Sequence, residues 1–276
     1  PLAHVARLVL RGSLKSLRTT ITVGPRWFWG GHRLRNLLKE DSGSWSMSDT
    51  DPEELAAILF TSGSTGVPKG AVYTHGMFDA QVRMLKAMYA FGEEEVDLPT
   101  FPLFALFDPA LGMTSVIPDM DARKPGSADP AKLVDAITAH GCTTMFGSPA
   151  LLRNLGRYGR EHQIQLPTLS RVLSAGAPAR RDVLEDVVSL LPDGGEIFTP
   201  YGATEALPVA HIGSREVLGE TAAATASGAG ICVGLPVTGA EVRIIAIRDD
   251  VIARWSDAVE VPAGTIGEIT VRGPMV

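Results

Sequence analysis

The 276-residue chain has only two cysteines, Cys142 and Cys232, far apart and outside any CxxC spacing. That pattern argues against a disulfide framework or a thiolate zinc site and makes a reducing cytoplasm the expected setting. Long hydrophobic runs are also missing. No apolar stretch approaches the ~20 residues that span a bilayer, and the opening PLAHVARLVLRG lacks the charged region and unbroken apolar core of a signal peptide. Acidic side chains are absent from residues 1–39, which hold eight Lys or Arg. The remainder holds 17 basic and 31 acidic residues, so the net charge of −6 divides into +8 and −14. A nucleic-acid module would show such a basic end. However, Arg7, Arg11, Lys15 and Arg18 recur at helical spacing opposite Leu2, Ala6, Val9, Leu14 and Leu17, the pattern of one solvated helix face. The acidic bulk would also repel a phosphate backbone, so no nucleic-acid partner is expected. The aromatic cluster Trp27-Phe28-Trp29 reads as core, or as an interface to further chain, rather than as a lipid anchor.

What is present is an alternation of strand-like and helix-like segments, which predicts α/β layers. A helix is expected near 2–18 and a strand in TTITV (19–23). The polar linker DSGSWSMSDTDP (41–52) separates these from strands AAILFT (56–61) and AVYT (71–74). Thr74 then caps a helix carrying Met77, Val82, Leu85, Met88 and Tyr89. The run VDLPTFPLFALFDPALGMTSVIP has four prolines and cannot be one helix or strand. Asp129-Pro130 opens a helix to His140. Strands follow at 142–146, 171–176 and 196–200, with helices at 149–161 and near 179–190. After a small-residue loop at 219–230, AEVRIIAI and TIGEITVRG alternate as strands. The expected organisation is a basic segment with linker over 1–50, an α/β core over 51–218 and a β-rich part over 219–276.

The stretch AILFTSGSTGVPKGAVYTH (57–75) carries the chemistry. Anchored on Gly63 and Lys69, the G-x-x-x-x-G-K-[ST] phosphate loop would need glycine where Pro68 stands and Ser or Thr where Gly70 stands, so it fails at two of four positions. GAGICVG (228–234) fails the dinucleotide spacing too. The loop still suits a polyanion. Thr61, Ser62, Ser64 and Thr65 offer hydroxyl donors, Gly63 and Gly66 admit close backbone approach, and Lys69 brings charge. On composition alone, a Ser/Gly hairpin joining two strands explains the stretch equally well.

TSGSTGVPKG resembles the signature loop of the adenylate-forming superfamily: acyl-CoA synthetases, luciferases and peptide-synthetase adenylation domains. SAGAP (174–178), YGATE (201–205) and GEITVRGP (267–274) resemble three further motifs of that family and occur in family order. The resemblance implies the large N-terminal domain of that fold, layered α/β sheets with a β-rich subdomain, and ATP and Mg²⁺ as cofactors. Thr61, Ser62, Gly63, Ser64, Thr65, Gly66 and Lys69 would wrap the β- and γ-phosphates. Gly176, Ala177 and Pro178 would wall the adenine slot opposite Tyr201. Gly202 and Ala203 would continue that edge to Thr204, which would reach the α-phosphate. Glu205, with Thr61, would hold Mg²⁺; Lys69, Thr204 and Glu205 are the implied catalytic groups.

FPLFALFDPALGMTSVIPDMD (101–121) resembles the olefin-biosynthesis β-lactone synthetases, with Ala105 where the wider family commonly has histidine. Phe104, Phe107, Met113, Met145 and Gly147 are candidate liners of a long-chain pocket, each equally suited to a core, and Asp108 reads as structural. This implies a 2-alkyl-3-hydroxy acid closed to a β-lactone, with other enzymes of the same hydrocarbon-forming pathway as candidate partners. A long-chain fatty acyl-CoA or acyl-AMP ligase, acting on a fatty acid, is the nearest rival; a non-catalytic nucleotide-binding scaffold is another. The resemblance also implies a fragment, without the family's C-terminal lid and its lysine, expected to bind ATP weakly and turn over nothing alone.

Overall fold

A computed structural model describes residues 16–40, 46–61 and 69–276, with the isolated positions 6, 9, 10, 12 and 43. Apart from those isolated positions and its last residues, the helix expected near 2–18 lies outside the described residues. So does the loop from Ser62 to Pro68. The chain divides into two units, residues 1–49 and 50–276. In the first, β1 (Ile21–Thr22) pairs in parallel with β2 (His32–Arg33), which runs into α1 (Leu34–Leu37). Trp29 is buried and its indole N–H donates to Thr22 Oγ1 at 3.2 Å, while Trp27 and Phe28 are exposed. Of the three aromatics, therefore, only the last is core.

The second unit opens with an antiparallel hairpin, β3 (Leu55–Thr61) and β4 (Lys69–Thr74). Thr61 pairs with Lys69, so the two ends of the Ser62–Pro68 loop form one register pair. Helix α2 (His75–Tyr89) follows at once, because Thr74 stays extended and its hydroxyl accepts the Met77 N–H at 3.3 Å. Ala90, in the left-handed region, ends it.

Next come β5 (Val96–Pro99), α3 (Phe104–Leu111), β6 (Thr114–Ser115), α4 (Pro130–His140), β7 (Thr144–Phe146), α5 (Pro149–Glu161), β8 (Arg171–Leu173), α6 (Arg181–Val188) and β9 (Glu196–Phe198). The proline-broken run thus resolves into a strand, a short helix with Pro109 inside it, and an edge strand. Helix α4 starts as the sequence predicts, with the Asp129 carboxylate accepting from Ala131 N–H and Pro130 in the first turn. The five strands form one parallel sheet in the order β6-β5-β7-β8-β9.

Beyond it, β10 (Tyr201–Ala203) and β11 (Ala206–His211) pair antiparallel. After α7 (Ser214–Leu218) and α8 (Ala222–Ala226), β12 (Leu235–Pro236) joins them. Helix α8 occupies part of the expected 219–230 loop. A last hairpin, β13 (Glu241–Ile245) and β14 (Glu268–Arg272), matches the two predicted alternating strands.

Parallel pairing keeps the central strands in strict register, which sorts side chains into rows. Leu98, Met145, Val172 and Ile197 align across four strands, all with no exposed surface, and pack with Leu151, Leu155 and Leu184 of α5 and α6. Burying each such side chain contributes roughly 1.5–3 kcal/mol relative to leaving it in water. Strand side chains alternate between faces, so the neighbouring rows face the other way. One row is polar: Ser115, Asp97, Thr144, Arg171 and Glu196. The next, toward the C-terminal ends, is apolar: Pro99, Phe146, Leu173 and Phe198.

Candidate active site

In open α/β sheets ligands bind outside the carboxyl ends of the strands, and residues of two of the motifs lie there. Gly147 follows β7, Gly176-Ala177-Pro178 follows β8, and Tyr201 follows β9 after Thr199 and Pro200. The Gly176 segment is exposed and Gly176 has φ +90°, with nothing within 4 Å of an added Cβ. Its glycine is needed for backbone conformation rather than for space. Gly147 is the opposite case. It is buried, and a Cβ there would lie 2.7 Å from Leu152 Cδ2, so its role in the fold is to let α5 approach the sheet.

Tyr201, Gly202 and Ala203 form β10, each exposed, and Tyr201 pairs with Ala210. Thr204 and Glu205 are the turn into β11. Two buried side chains outside the motifs hold that turn. Tyr73 of β4 donates its hydroxyl to the Thr204 carbonyl at 2.5 Å, and Gln81 of α2 donates to the Leu207 carbonyl at 3.0 Å. Tyr73 is 3% exposed and stacks on Phe78 at 4.9 Å. Burial pushes the Tyr73 phenol above its ordinary value, a contact with Gln81 draws it down, and the Glu205 charge raises it further. Sequence reasoning missed Tyr73 and Gln81. The available signal was a glutamine on the apolar stripe of α2, a position that demands a partner.

Thr61 is half-buried at the end of β3, its hydroxyl donating to the Lys69 carbonyl at 3.4 Å, and Lys69 is exposed. Ser62, Gly63, Ser64, Thr65 and Gly66 lie outside the described residues. No cluster of three His, Cys, Asp or Glu able to hold a metal occurs among the described residues. Glu205 and Thr61 offer one carboxylate and one hydroxyl. That donor set fits Mg²⁺, which prefers a carboxylate or two plus substrate phosphates and retained waters to an all-protein cage.

On the aromatic face of the sheet, Phe104, Phe107 and Met113 border a cavity of about 20 Å³, with Leu85, Phe91 and Phe146 among its other walls. Phe104 stacks on Phe146 at 4.0 Å between ring centroids. Met145, grouped with them from the sequence, sits on the opposite face inside the apolar row, so the sheet separates it from this cavity. Two carboxyls also reach the cavity, Asp97 and Asp108. Asp108, read as structural from the sequence, accepts from Ser115 Oγ at 2.5 Å. Beside them Glu95 accepts from Thr143, from Thr144 at 3.1 Å and from Arg171 at 3.0 Å. Burial raises the Glu95 carboxyl, but these hydrogen bonds and the Arg171 charge hold it below its ordinary value. A wider open depression of about 260 Å³ lies against Trp255; none of the motif residues lines it.

The fold and the order of motifs define an adenylate-forming α/β enzyme domain. The family profile for AMP-binding enzymes matches residues 13–276, and the chain belongs to that family. It is 55% identical over 275 residues to an olefin β-lactone synthetase of Stenotrophomonas maltophilia, covering 99% of this chain and 49% of that protein. It is 52% identical over 275 residues to the olefin β-lactone synthetase of Xanthomonas campestris, covering 99% and 48%. The chain spans about half the length of the curated relatives it matches. The amide bond synthetase of Marinactinospora thermotolerans shares the fold, with a TM-score of 0.70 at 23% identity over 98% of this chain and 50% of that one.

Proposed function

We propose that the protein activates a long-chain 2-alkyl-3-hydroxy acid as its acyl adenylate, with ATP and Mg²⁺, and closes it to a β-lactone with release of AMP. The observation that carries this reading is the identity above one half to two olefin β-lactone synthetases along nearly the whole chain. The geometry agrees. The Tyr73 and Gln81 tethers hold the Thr204-Glu205 turn to the elements that follow the signature loop.

In this reading Ser62, Gly63, Ser64, Thr65, Gly66 and Lys69 cradle the phosphates. Tyr201 stacks on adenine against Gly176, Ala177 and Pro178, with Gly202 and Ala203 along the nucleotide. Thr204 donates to the α-phosphate, and Glu205 with Thr61 holds Mg²⁺, which when bound neutralises phosphate charge. A carboxylate oxygen of the acid attacks the α-phosphorus and pyrophosphate leaves. The chain's share of the work is to place two anions in line and keep them there. Phe104, Phe107 and Met113 form the acyl wall on the aromatic face; Met145, on the far face, supports the sheet.

The second step needs no external acceptor, because the 3-hydroxyl and the activated carbonyl are on one molecule. Effective molarities of ~10⁵ M or more for well-oriented groups offset the strain of a four-membered ring. The test is to incubate the full-length protein with the hydroxy acid, ATP and Mg²⁺, with and without coenzyme A, and identify products by mass spectrometry. A lactone and AMP without coenzyme A are expected. A thioester as main product would return the protein to the acyl-CoA ligases.

A further inference from the structure

We propose that Asp97 and Asp108 form a polar floor beneath the acyl pocket that stops an alkyl arm of the acid, which makes Asp97 a determinant of chain length; this rests on the acyl-pocket reading above. The cavity changes character with depth. Toward the C-terminal edge its walls are aromatic, with Phe104 against Phe146. One row lower they are Asp97 and Thr144 from the sheet and Asp108 from α3.

Asp97 is 4% exposed, and its Oδ1 accepts no hydrogen bond from the protein. A cavity of about 20 Å³ has room for roughly one water. A buried carboxyl with an open acceptor beside a water-sized space calls for a neutral hydrogen-bonding occupant. Burial first, and then the Asp108 charge, push the Asp97 carboxyl up to about 8, so it keeps its proton at neutral pH. The other groups facing it are the Leu98 N–H, which bonds to the carboxyl, the Cys142 thiol, which the Asp97 charge helps push up, and the pair Glu95 and Arg171. Glu95 is bonded to Thr143, Thr144 and Arg171, and Arg171 is bonded to Glu95 and Thr144.

Depth decides which part of a substrate Asp97 meets. It precedes Pro99 by two residues, and strands rise about 3.3 Å per residue, so it lies roughly 7 Å below the edge where the carboxyl is activated. A 3-hydroxyl must stay beside that carboxyl and cannot reach the floor. The alkyl arm can. A methylene driven onto the floor fills the water-sized space with a group that cannot bond to Oδ1, which penalises binding. Arms that end among the phenylalanines avoid that loss.

The test uses the full-length protein and a series of 2-alkyl-3-hydroxy acids with one arm lengthened at a time, reading kcat/KM from pyrophosphate release. Asp97→Ala removes the group that must stay solvated and opens space. Its optimum is expected to move to longer arms, with about a tenfold gain, mainly in KM, on the acid just beyond the wild-type optimum. Asp97→Asn keeps a polar floor and should keep the wild-type profile. Asp108→Ala should repeat the shift by a second route. Superimposable profiles for Asp97→Ala and wild type, or an equal shift in Asp97→Asn, would overturn the proposal. Pyrophosphate release is blind to the fate of the adenylate. A thioester product would therefore sink the lactone reading alone, and lactone formation with an unchanged profile would sink this one alone.

Discussion

On one face of the parallel sheet Leu98, Met145, Val172 and Ile197 stand in an unbroken apolar row with no exposed surface. One residue away in register, on the other face, stand Asp97, Thr144, Arg171 and Glu196. The first row needs only volume and hydrophobicity. The second needs a network, and Arg171, Glu95 and Thr144 provide one that still leaves Asp97 with an open acceptor. Natural sequences break the local rule of apolar interiors chiefly where function requires it. In the proposed reading the apolar face is scaffold and the other, with the strand ends above it, is the working side.

The sharpest way to break that contrast is to measure stability and chemistry together. Met145→Ala should cost about 2–5 kcal/mol of unfolding free energy through the cavity it leaves. Wherever the full-length variant is folded, it should leave the acid-length profile of pyrophosphate release unchanged. A changed profile would move Met145 to the working side. Glu205→Gln should do the reverse. Pyrophosphate release is expected to fall by ~10²–10³, while denaturant unfolding moves by no more than about 0.5 kcal/mol, as for other exposed sites. Ser64→Ala, one of several redundant donors, should lose much less; equal losses would reject the metal assignment.

A third measurement concerns pH. Asp97 has a raised carboxyl, at about 8 in the folded chain, so between roughly pH 4 and 8 the native state binds more protons than the unfolded one. Its stability contribution is therefore complete below the unfolded value and is lost as pH rises toward 8, by at most about 1.4 kcal/mol per pH unit. Asp108, raised by burial, acts in the same direction. Glu95, lowered, contributes stability that is lost as pH falls. Cys142, pushed up to about 11 by burial and then by Asp97, matters only at higher pH. Urea midpoints of wild type and Asp97→Asn from pH 5 to 8 should diverge, with the variant the flatter; parallel curves would mean Asp97 ionises normally. The smallest effect is expected from Tyr73→Phe. It removes one buried hydrogen bond, worth about 1 kcal/mol in stability, and should raise KM for ATP by loosening the Thr204-Glu205 turn. An unchanged KM would reduce the tether to a packing contact.

Much of the scaffold was legible because local chemistry and tertiary structure agree. Thr74 and Asp129 start their helices as capping residues do, and the 3.6-residue pattern of 149–161 matches α5. Strand β5 escaped because it carries Asp97 and Pro99, residues that strands usually avoid. Strand β11 escaped because Pro208 stands in its middle. Family membership was readable from four short motifs. The support beneath them was not, since Tyr73, Gln81 and Asp97 acquire their roles from partners 131, 126 and 11 positions away, at Thr204, Leu207 and Asp108. No pattern along the chain records such pairings. Met145 shows the complementary case: its residue type suited a pocket wall or a core equally, and alternation along β7 sends Phe146 to the cavity and Met145 to the far side.

The in-register rows also limit how this domain can diverge. Insertion or deletion of a single residue within β5, β7, β8 or β9 would exchange the two faces of that strand, turning a carboxylate or arginine into the leucine-rich layer and a buried aliphatic toward the acid. Lineages that inherit the fold can therefore retune the floor of the pocket only by point substitution. Changes of chain length are better tolerated in the loops beyond the strand ends. Related proteins with different acid preferences should accordingly align without gaps through these four strands and differ in residue type at the positions of Asp97, Asp108 and Thr144, a pattern that comparison of paralogues can check.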